Sequence, residues 1–151
     1  FIRQLDSTGY EVAKQKIIQT KGLDIGEKIG ALADLNKYKI KSEWYKYKDA
    51  GKIFVKKYAM DDYIRLNEVS KMYLDYPADM EELKLVEKWL QKSVSIADLY
   101  QSNYLLAKVS FKLNNKEQAL KTANHAVEIG IRDKNDYKET TALLEEIQKL
   151  P

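Results

Sequence analysis

The chain has 151 residues, 44% of them hydrophobic and 32% charged, a balance that is typical of a globular protein with a buried core. It contains no cysteine, which excludes thiol chemistry within this segment, and no run of about 18 apolar residues that could span a membrane. The net charge is +3, yet residues 1–57 hold 13 basic and 7 acidic side chains, whereas residues 58–151 hold 13 basic and 16 acidic ones.

Residues 1–57 are predicted to form connecting helices. Apolar residues recur at helical spacing after Asp24, which predicts one helix. A second apolar row, in steps of three and four, predicts a helix with one buried face and consists of Ile40, Trp44, Tyr47, Gly51, Phe54 and Tyr58. Because glycine costs about 1 kcal/mol relative to alanine inside a helix, Gly51 indicates that a neighbouring helix crosses closely there.

Residues 58–151 carry clearer signals for helix starts. Asp79 and Glu82 are spaced as a capping box, in which each side chain accepts a hydrogen bond from the other residue's backbone N–H. One helix is expected to end near Gly130, since glycine commonly terminates helices. Four other polar residues are placed where they could start helices: Asp61, Asp98, Asn115 and Asp136.

The pattern of the whole chain predicts an all-α protein. No segment alternates polar and apolar residues as a strand would, and the chain has only two prolines. The connections between predicted helices are about two to six residues long, so consecutive helices should pack as antiparallel neighbours. We expect about seven or eight helices, the last of which, at about residues 136–149, closes the array.

An internal repeat supports a stacked arrangement of helix pairs. The spacing from Val86 to Ser93 recurs from Ala119 to Ala126, 33 residues later. A period of about 33–34 residues with one helix pair per unit is typical of tetratricopeptide repeats. Residues 100–131 resemble that family at Leu106, Ala107, Phe111, Ala119 and Ala126 and depart from it at Asn103, Ser110, Ala123 and Ile131. The resemblance implies a short, right-handed superhelix of antiparallel helix pairs.

A narrower resemblance rests on motifs that follow one another in order. They are Leu66-Asn67-Glu68 with Ser70, Glu87-Lys88-Trp89, Lys92-Ser93-Val94, Tyr104-Leu105-Leu106-Ala107, Lys112-Leu113-Asn114-Asn115 and Asp136-Tyr137 with Thr140. The series resembles the C-terminal helical region of bacterial envelope proteins of the thioredoxin-like family. That resemblance implies a tetratricopeptide-like tail after a thioredoxin-fold domain, in the periplasm or cell envelope.

The same resemblance implies a domain organisation. Residues 1–57 would be connecting helices, and residues 58–151 would be the repeats with a C-terminal capping helix, in one continuous domain. The chain starts at Phe1 without a leader, so we interpret it as an internal or processed piece of a longer protein.

Residues that could carry chemistry are few. His125 is the only histidine, and because a metal site needs several converging ligands, we interpret it as a surface or packing residue. The adjacent acidic pairs Glu81-Glu82 and Glu145-Glu146 do not face each other on a helix. No glycine-rich phosphate loop is present. We therefore expect no catalytic residue, no metal and no cofactor, and a role other than that of an enzyme.

The expected role is protein interaction. The first helices of repeat units usually line the concave face of a helical-repeat protein, and tyrosine suits interfaces because it is amphipathic. On this basis the candidate residues for binding a protein or peptide partner, or the upstream domain of the same chain, are Asn67, Lys71, Gln101, Tyr104 and Lys108.

An alternative hypothesis is a basic helical module that binds nucleic acid through the face from Lys37 to Lys57. Lysines that neutralise phosphates and aromatics that stack on bases are the parts of a single-strand binder. However, Trp44 and Tyr47 lie on the apolar row, so the lysines at 37, 41, 48 and 52 are expected to form a solvated face beside a buried one. Arginine, which nucleic-acid readers favour, is also scarce.

Overall fold

The structure is a computed structural model that describes residues 7–151, without the side chains of Ser7, Thr8 and Tyr10. This part of the chain is helical and contains no strand, which confirms the all-α prediction. The helices are α1 (Ser7–Lys21), α2 (Leu23–Ile40), α3 (Trp44–Phe54), α4 (Tyr63–Asp75), α5 (Met80–Ile96), α6 (Tyr100–Lys112), α7 (Lys116–Asp133) and α8 (Lys138–Gln148), and a π-helical turn, Val55–Ala59, follows α3.

The chain divides into two compact units, an N-terminal unit that ends at Tyr58 and a C-terminal unit from Ala59 to Pro151. In the N-terminal unit, α2 packs against both α1 and α3. Gly26 and Gly30 are buried, and a Cβ atom on Gly26 would lie only 2.3 Å from Ile18 Cγ1. Gly26 therefore lets α1 and α2 approach closely, a signal that the sequence analysis missed.

The predicted helix from Ile40 to Tyr58 is wrong at its start. Helix α2 ends at Ile40, and α3 begins only at Trp44. Between them Ser42 adopts a left-handed conformation with φ 56, and the Glu43 N–H donates to the Tyr38 carbonyl oxygen at 2.9 Å. This pattern closes α2 as a Schellman motif, which glycine usually provides. As a consequence Ile40 is 57% exposed, while Tyr47, Gly51 and Phe54 are buried as expected.

In the C-terminal unit each helix packs against the next along the chain. In addition, α4 contacts α6, and α6 contacts α8. The tight contacts use small side chains, since Ala107, Ala119, Ala123 and Ala126 have no solvent exposure. Larger side chains fill the remaining space, and the Tyr73 and Trp89 rings meet edge to face with centroids 5.4 Å apart. In the core of the C-terminal unit, small side chains allow close helix contacts and large side chains fill the space between the helices.

Two of the predicted helix starts in this unit are confirmed. Asp79 and Glu82 form the complete capping box, and Asn115 accepts a hydrogen bond from the Gln118 N–H at 3.2 Å. At α4 the cap is Asp62 rather than Asp61, because the Asp62 side chain accepts from the Arg65 N–H.

Three other predicted helix boundaries in this unit are wrong. Neither Asp98 nor Asp136 occupies the N-cap position, which is taken by Leu99 before α6 and by Tyr137 before α8. Helix α7 also runs past Gly130 to Asp133. Gly130 lies inside the helix, where the lack of a side chain makes room for Tyr137.

None of the helices in the described part of the chain is both long enough and apolar enough to cross a membrane.

Candidate interaction surface on helices α4, α6 and α8

Asn67, the first of the five predicted partner-binding residues, is buried and only 8% exposed. Its Nδ2 donates to Ser102 Oγ at 2.9 Å, and its Oδ1 accepts from Ser93 Oγ at 2.7 Å. Since these serines belong to α6 and α5, the amide joins three helices. Asn67 therefore stabilises the fold and is not part of an exposed groove, contrary to the expectation from the sequence.

Two other predicted residues, Lys71 on α4 and Lys108 on α6, converge on one carboxylate. Lys71 Nζ donates to Asp75 Oδ2, and Lys108 Nζ donates to Asp75 Oδ1 at 3.3 Å. Partial burial acts to raise the pKa of Asp75, but the hydrogen bonds from Lys71 and Lys108 outweigh it and hold the pKa below its usual value. Asp75 therefore stays ionised, and the cluster places two positive charges around its one negative charge.

Tyr104 lies one helical turn before Lys108 and is half-buried. Its ring stacks on Tyr100 with centroids 6.2 Å apart and an angle of 4° between the ring planes. Burial raises the pKa of Tyr104 to about 12, and the nearby negative charge of Glu139 contributes. The phenol therefore remains protonated at neutral pH and keeps its O–H as a donor.

Helix α8 completes this surface, which consists of Lys71, Asp75, Tyr100, Gln101, Tyr104, Lys108 and Glu139, with the buried Thr140 beneath Tyr100. Tyr100 Oη and Thr140 Oγ1 are 2.8 Å apart, and Gln101 is exposed beside Tyr100. We call it the α4–α6–α8 surface. Sequence reasoning found its lysines, Gln101 and Tyr104 but missed Asp75, Tyr100 and Glu139. Glu139 lies 35 positions beyond Tyr104 and reaches the surface only through the contact of α6 with α8.

His125 lies elsewhere in the C-terminal unit, on α7, and is half-exposed. Its Nε2 is 2.9 Å from Asp98 Oδ2, and its Nδ1 is 3.5 Å from Glu128 Oε2. Asn103 Nδ2 donates to Asp98 Oδ1 at 2.7 Å, so the carboxylate is held from two sides. The hydrogen bond to Asp98 raises the pKa of His125 above its ordinary value. The arrangement ties the turn before α6 to α7.

Metal-binding side chains are not grouped in the described part of the chain, where no three His, Asp or Glu residues stand close enough together to hold an ion. His125 contacts two carboxylates, and each contact uses a different ring nitrogen. Asp98 lies near Nε2 and Glu128 lies near Nδ1.

The basic stretch between Lys37 and Lys57 is not one solvated face. Lys48 is only 9% exposed, which contradicts its predicted place among the solvated lysines. It stands one turn from both Trp44 and Gly51, so its aliphatic stem lies beside the apolar row. Lys57 Nζ donates to Glu27 Oε2 at 2.6 Å and is thereby engaged within the N-terminal unit. Exposed lysines remain, among them Lys39, Lys41 and Lys46.

Comparison with protein-family models found none that matches the chain, and a search of curated proteins likewise found no match.

Proposed function

We propose that this chain is a non-catalytic helical-repeat module that binds a protein partner through the α4–α6–α8 surface. The observation that carries the proposal is the grouping of Lys71, Asp75 and Lys108 beside Tyr100 and Tyr104. Three helices contribute to one continuous set of side chains that combines charge with aromatic area. Tyrosine is enriched in protein interfaces because it supplies large contact area and a hydrogen-bonding tip at little entropic cost.

The proposed architecture of the C-terminal unit is tetratricopeptide-like. In this reading α4–α5 and α6–α7 are two helix pairs, and α8 caps the array as the first helix of a unit without its partner. The alternate contacts of α4 with α6 and of α6 with α8 support it, because stacked units bring their first helices together. The buried alanines at 107, 119 and 126 occupy the small-residue positions of the repeat. The right-handed superhelix is part of the same proposal.

The proposed setting is the C-terminal part of a thioredoxin-like protein of the bacterial periplasm or cell envelope. It rests on the ordered series of sequence motifs. Several motif residues have structural roles that fit a shared packing scheme, since Ser93 bonds Asn67 and Thr140 bonds Tyr100. The partner would then be a protein or peptide, or the upstream domain of the same chain.

Site-directed photocrosslinking tests where the partner binds. A photoreactive phenylalanine analogue at Tyr104 should capture a defined partner in cells of the source organism, whereas the same analogue at Lys121, an exposed position on α7, should not. The partner, identified by mass spectrometry and purified, should bind the wild-type chain and lose affinity for the Lys71→Ala/Lys108→Ala variant. Equal capture at both positions, or undiminished binding by the variant, would contradict the proposed surface.

The envelope setting has its own test in the coding sequence upstream of Phe1. We expect a signal peptide and a Cys-x-x-Cys motif in a thioredoxin-like pattern. A cytosolic start joined to a nucleic-acid-binding domain would favour the alternative hypothesis instead.

A further inference from the structure

The corner between α2 and α3 exposes large apolar side chains among lysines. Ile40 is 57% exposed and Tyr45 is 88% exposed, although both are residue types that a folded protein usually covers at least in part. They stand on either side of the Schellman turn at Ser42. The turn fixes the two side chains at one end of the α2–α3 pair, so their exposure belongs to the fold of the N-terminal unit.

Lysines are the chain neighbours of these two side chains. Lys39 and Lys41 are exposed, and Lys46 keeps 63% of its side chain in solvent although it pairs with Glu43 at 3.3 Å. Between residues 37 and 46 the chain has four lysines and one acidic residue, a local charge of +3. The lysine stems are flexible and can direct their ammonium groups away from an apolar contact. The corner therefore exposes apolar side chains next to positive charge.

We propose that the α2–α3 corner docks on an anionic lipid surface. Ile40 would enter the boundary between headgroups and acyl chains, Tyr45 would sit at the depth of the headgroups, and Lys39, Lys41 and Lys46 would contact lipid phosphates. The lysines are attracted to the acidic lipid surface, and the aliphatic side chain gains free energy when it is buried among acyl chains. A nucleic acid fits less well, because it offers phosphates and bases but nothing that requires an exposed isoleucine.

Co-sedimentation of the full chain with lipid vesicles tests the proposal. We expect binding to vesicles of phosphatidylcholine with about 30% phosphatidylglycerol, and little binding to phosphatidylcholine alone, because each lysine near an acidic surface adds attraction. Replacing Lys39, Lys41 and Lys46 by Gln should weaken binding about tenfold or more. The matched control replaces Lys88, Lys121 and Lys138, three exposed lysines of the C-terminal unit, by Gln and should bind nearly as the wild type does.

A second pair of variants separates insertion from simple charge attraction. Ile40→Ser should weaken binding about fivefold, since it removes buried aliphatic area, whereas Ile131→Ser, at a residue 61% exposed on α7, should not. Circular dichroism of all variants should show unchanged helix content.

Two results would overturn the proposal. One is the absence of binding to acidic vesicles. The other is a wild-type-like response of Ile40→Ser together with salt-sensitive binding of single-stranded DNA that the lysine triple variant loses, which would identify the corner as a nucleic-acid contact.

Discussion

The buried serines of the C-terminal unit differ in whether their hydroxyl groups have hydrogen-bond partners. Ser93 and Ser102 bond each other at 3.1 Å and share Asn67. Ser70 and Ser110 are equally buried, yet their Oγ atoms have no partner within the described part of the chain. A buried hydroxyl without a partner loses its bonds to water and gains nothing in exchange. These two serines therefore fit by their size and not by their polarity.

Replacement of the unpartnered serines should stabilise the protein. Ser70→Ala and Ser110→Ala should each raise the free energy of unfolding by about 0.5–1 kcal/mol, because alanine fills nearly the same space without the polar group. Ser93→Ala is the matched control and should lower it by about 1–3 kcal/mol, since it leaves Asn67 Oδ1 unsatisfied. Urea unfolding followed by circular dichroism measures all three, and a loss of stability in Ser70→Ala would show that its hydroxyl is satisfied in solution.

The His125–Asp98 pair should make stability depend on pH. Because the folded state raises the pKa of His125, protonated His125 stabilises the fold fully below its unfolded pKa, near 6.5. That contribution is lost as the pH rises through the higher pKa of the folded state. Asp98, whose pKa is lowered, stays ionised throughout this range.

Melting temperatures measured from pH 6 to pH 9 test this dependence. As the pH rises across this range, the melting temperature of the wild type should fall relative to that of His125→Gln. The Asp98→Asn variant should not show this fall. A parallel pH profile of wild type and His125→Gln would show that the pair contributes nothing to folding. The effect should be modest, because the side chain is half-exposed and water screens the interaction.

At the scale of single helices, Gly26 and Gly30 contribute differently to the contact of α1 with α2. A Cβ on Gly26 would meet Ile18 Cγ1 at 2.3 Å and the Ile18 Cα at 2.9 Å, so the backbones would have to separate. A Cβ on Gly30 would meet Lys14 Cε at 3.0 Å and Cδ at 3.3 Å, which belong to a flexible side chain that can move. The two positions thus offer a matched pair within one helix.

Gly26→Ala should destabilise the N-terminal unit by about 1–3 kcal/mol, because overpacking forces the helices apart. Gly30→Ala should be neutral or stabilise by up to about 1 kcal/mol through the better helix propensity of alanine. The fluorescence of Trp44, read in a Trp89→Phe background, reports the unfolding of this unit by urea. Equal losses of stability in both variants would mean that close helix approach does not explain the requirement for glycine at these positions.

The helices were more predictable than their ends and their buried polar contacts. Capping residues such as Asp79 and Asn115 act over three positions, so sequence alone reveals them. The break at Ser42 was missed because a serine, not a glycine, takes the left-handed conformation. Asn67 was misplaced because its partners Ser93 and Ser102 lie 26 and 35 positions away, and only packing brings them to it.

At the scale of the whole molecule, binding and stability should depend on different residues of the C-terminal unit. Lys71 is exposed, and Tyr104 and Lys108 are half-buried on the α4–α6–α8 surface, whereas Ala126 has no exposure at all. The Lys71→Ala/Tyr104→Ala/Lys108→Ala variant leaves Asp75 without its two ammonium partners but removes no core side chain. Since the affected groups remain in contact with water, we expect a loss of no more than about 1 kcal/mol in stability.

Ala126→Leu is the opposite case and should cost about 1–3 kcal/mol, because the added atoms have no space in a fully packed contact. The triple variant should therefore melt close to the wild type and bind the partner captured at Tyr104 about tenfold or more weakly, as expected when interface anchors are truncated. Ala126→Leu should melt well below the wild type and, while it remains folded at low temperature, bind with unchanged affinity. Thermal melting beside titration calorimetry separates the two effects. If the triple variant instead melts far below the wild type, or Ala126→Leu melts unchanged, the surface and the core have been assigned to the wrong faces of these helices.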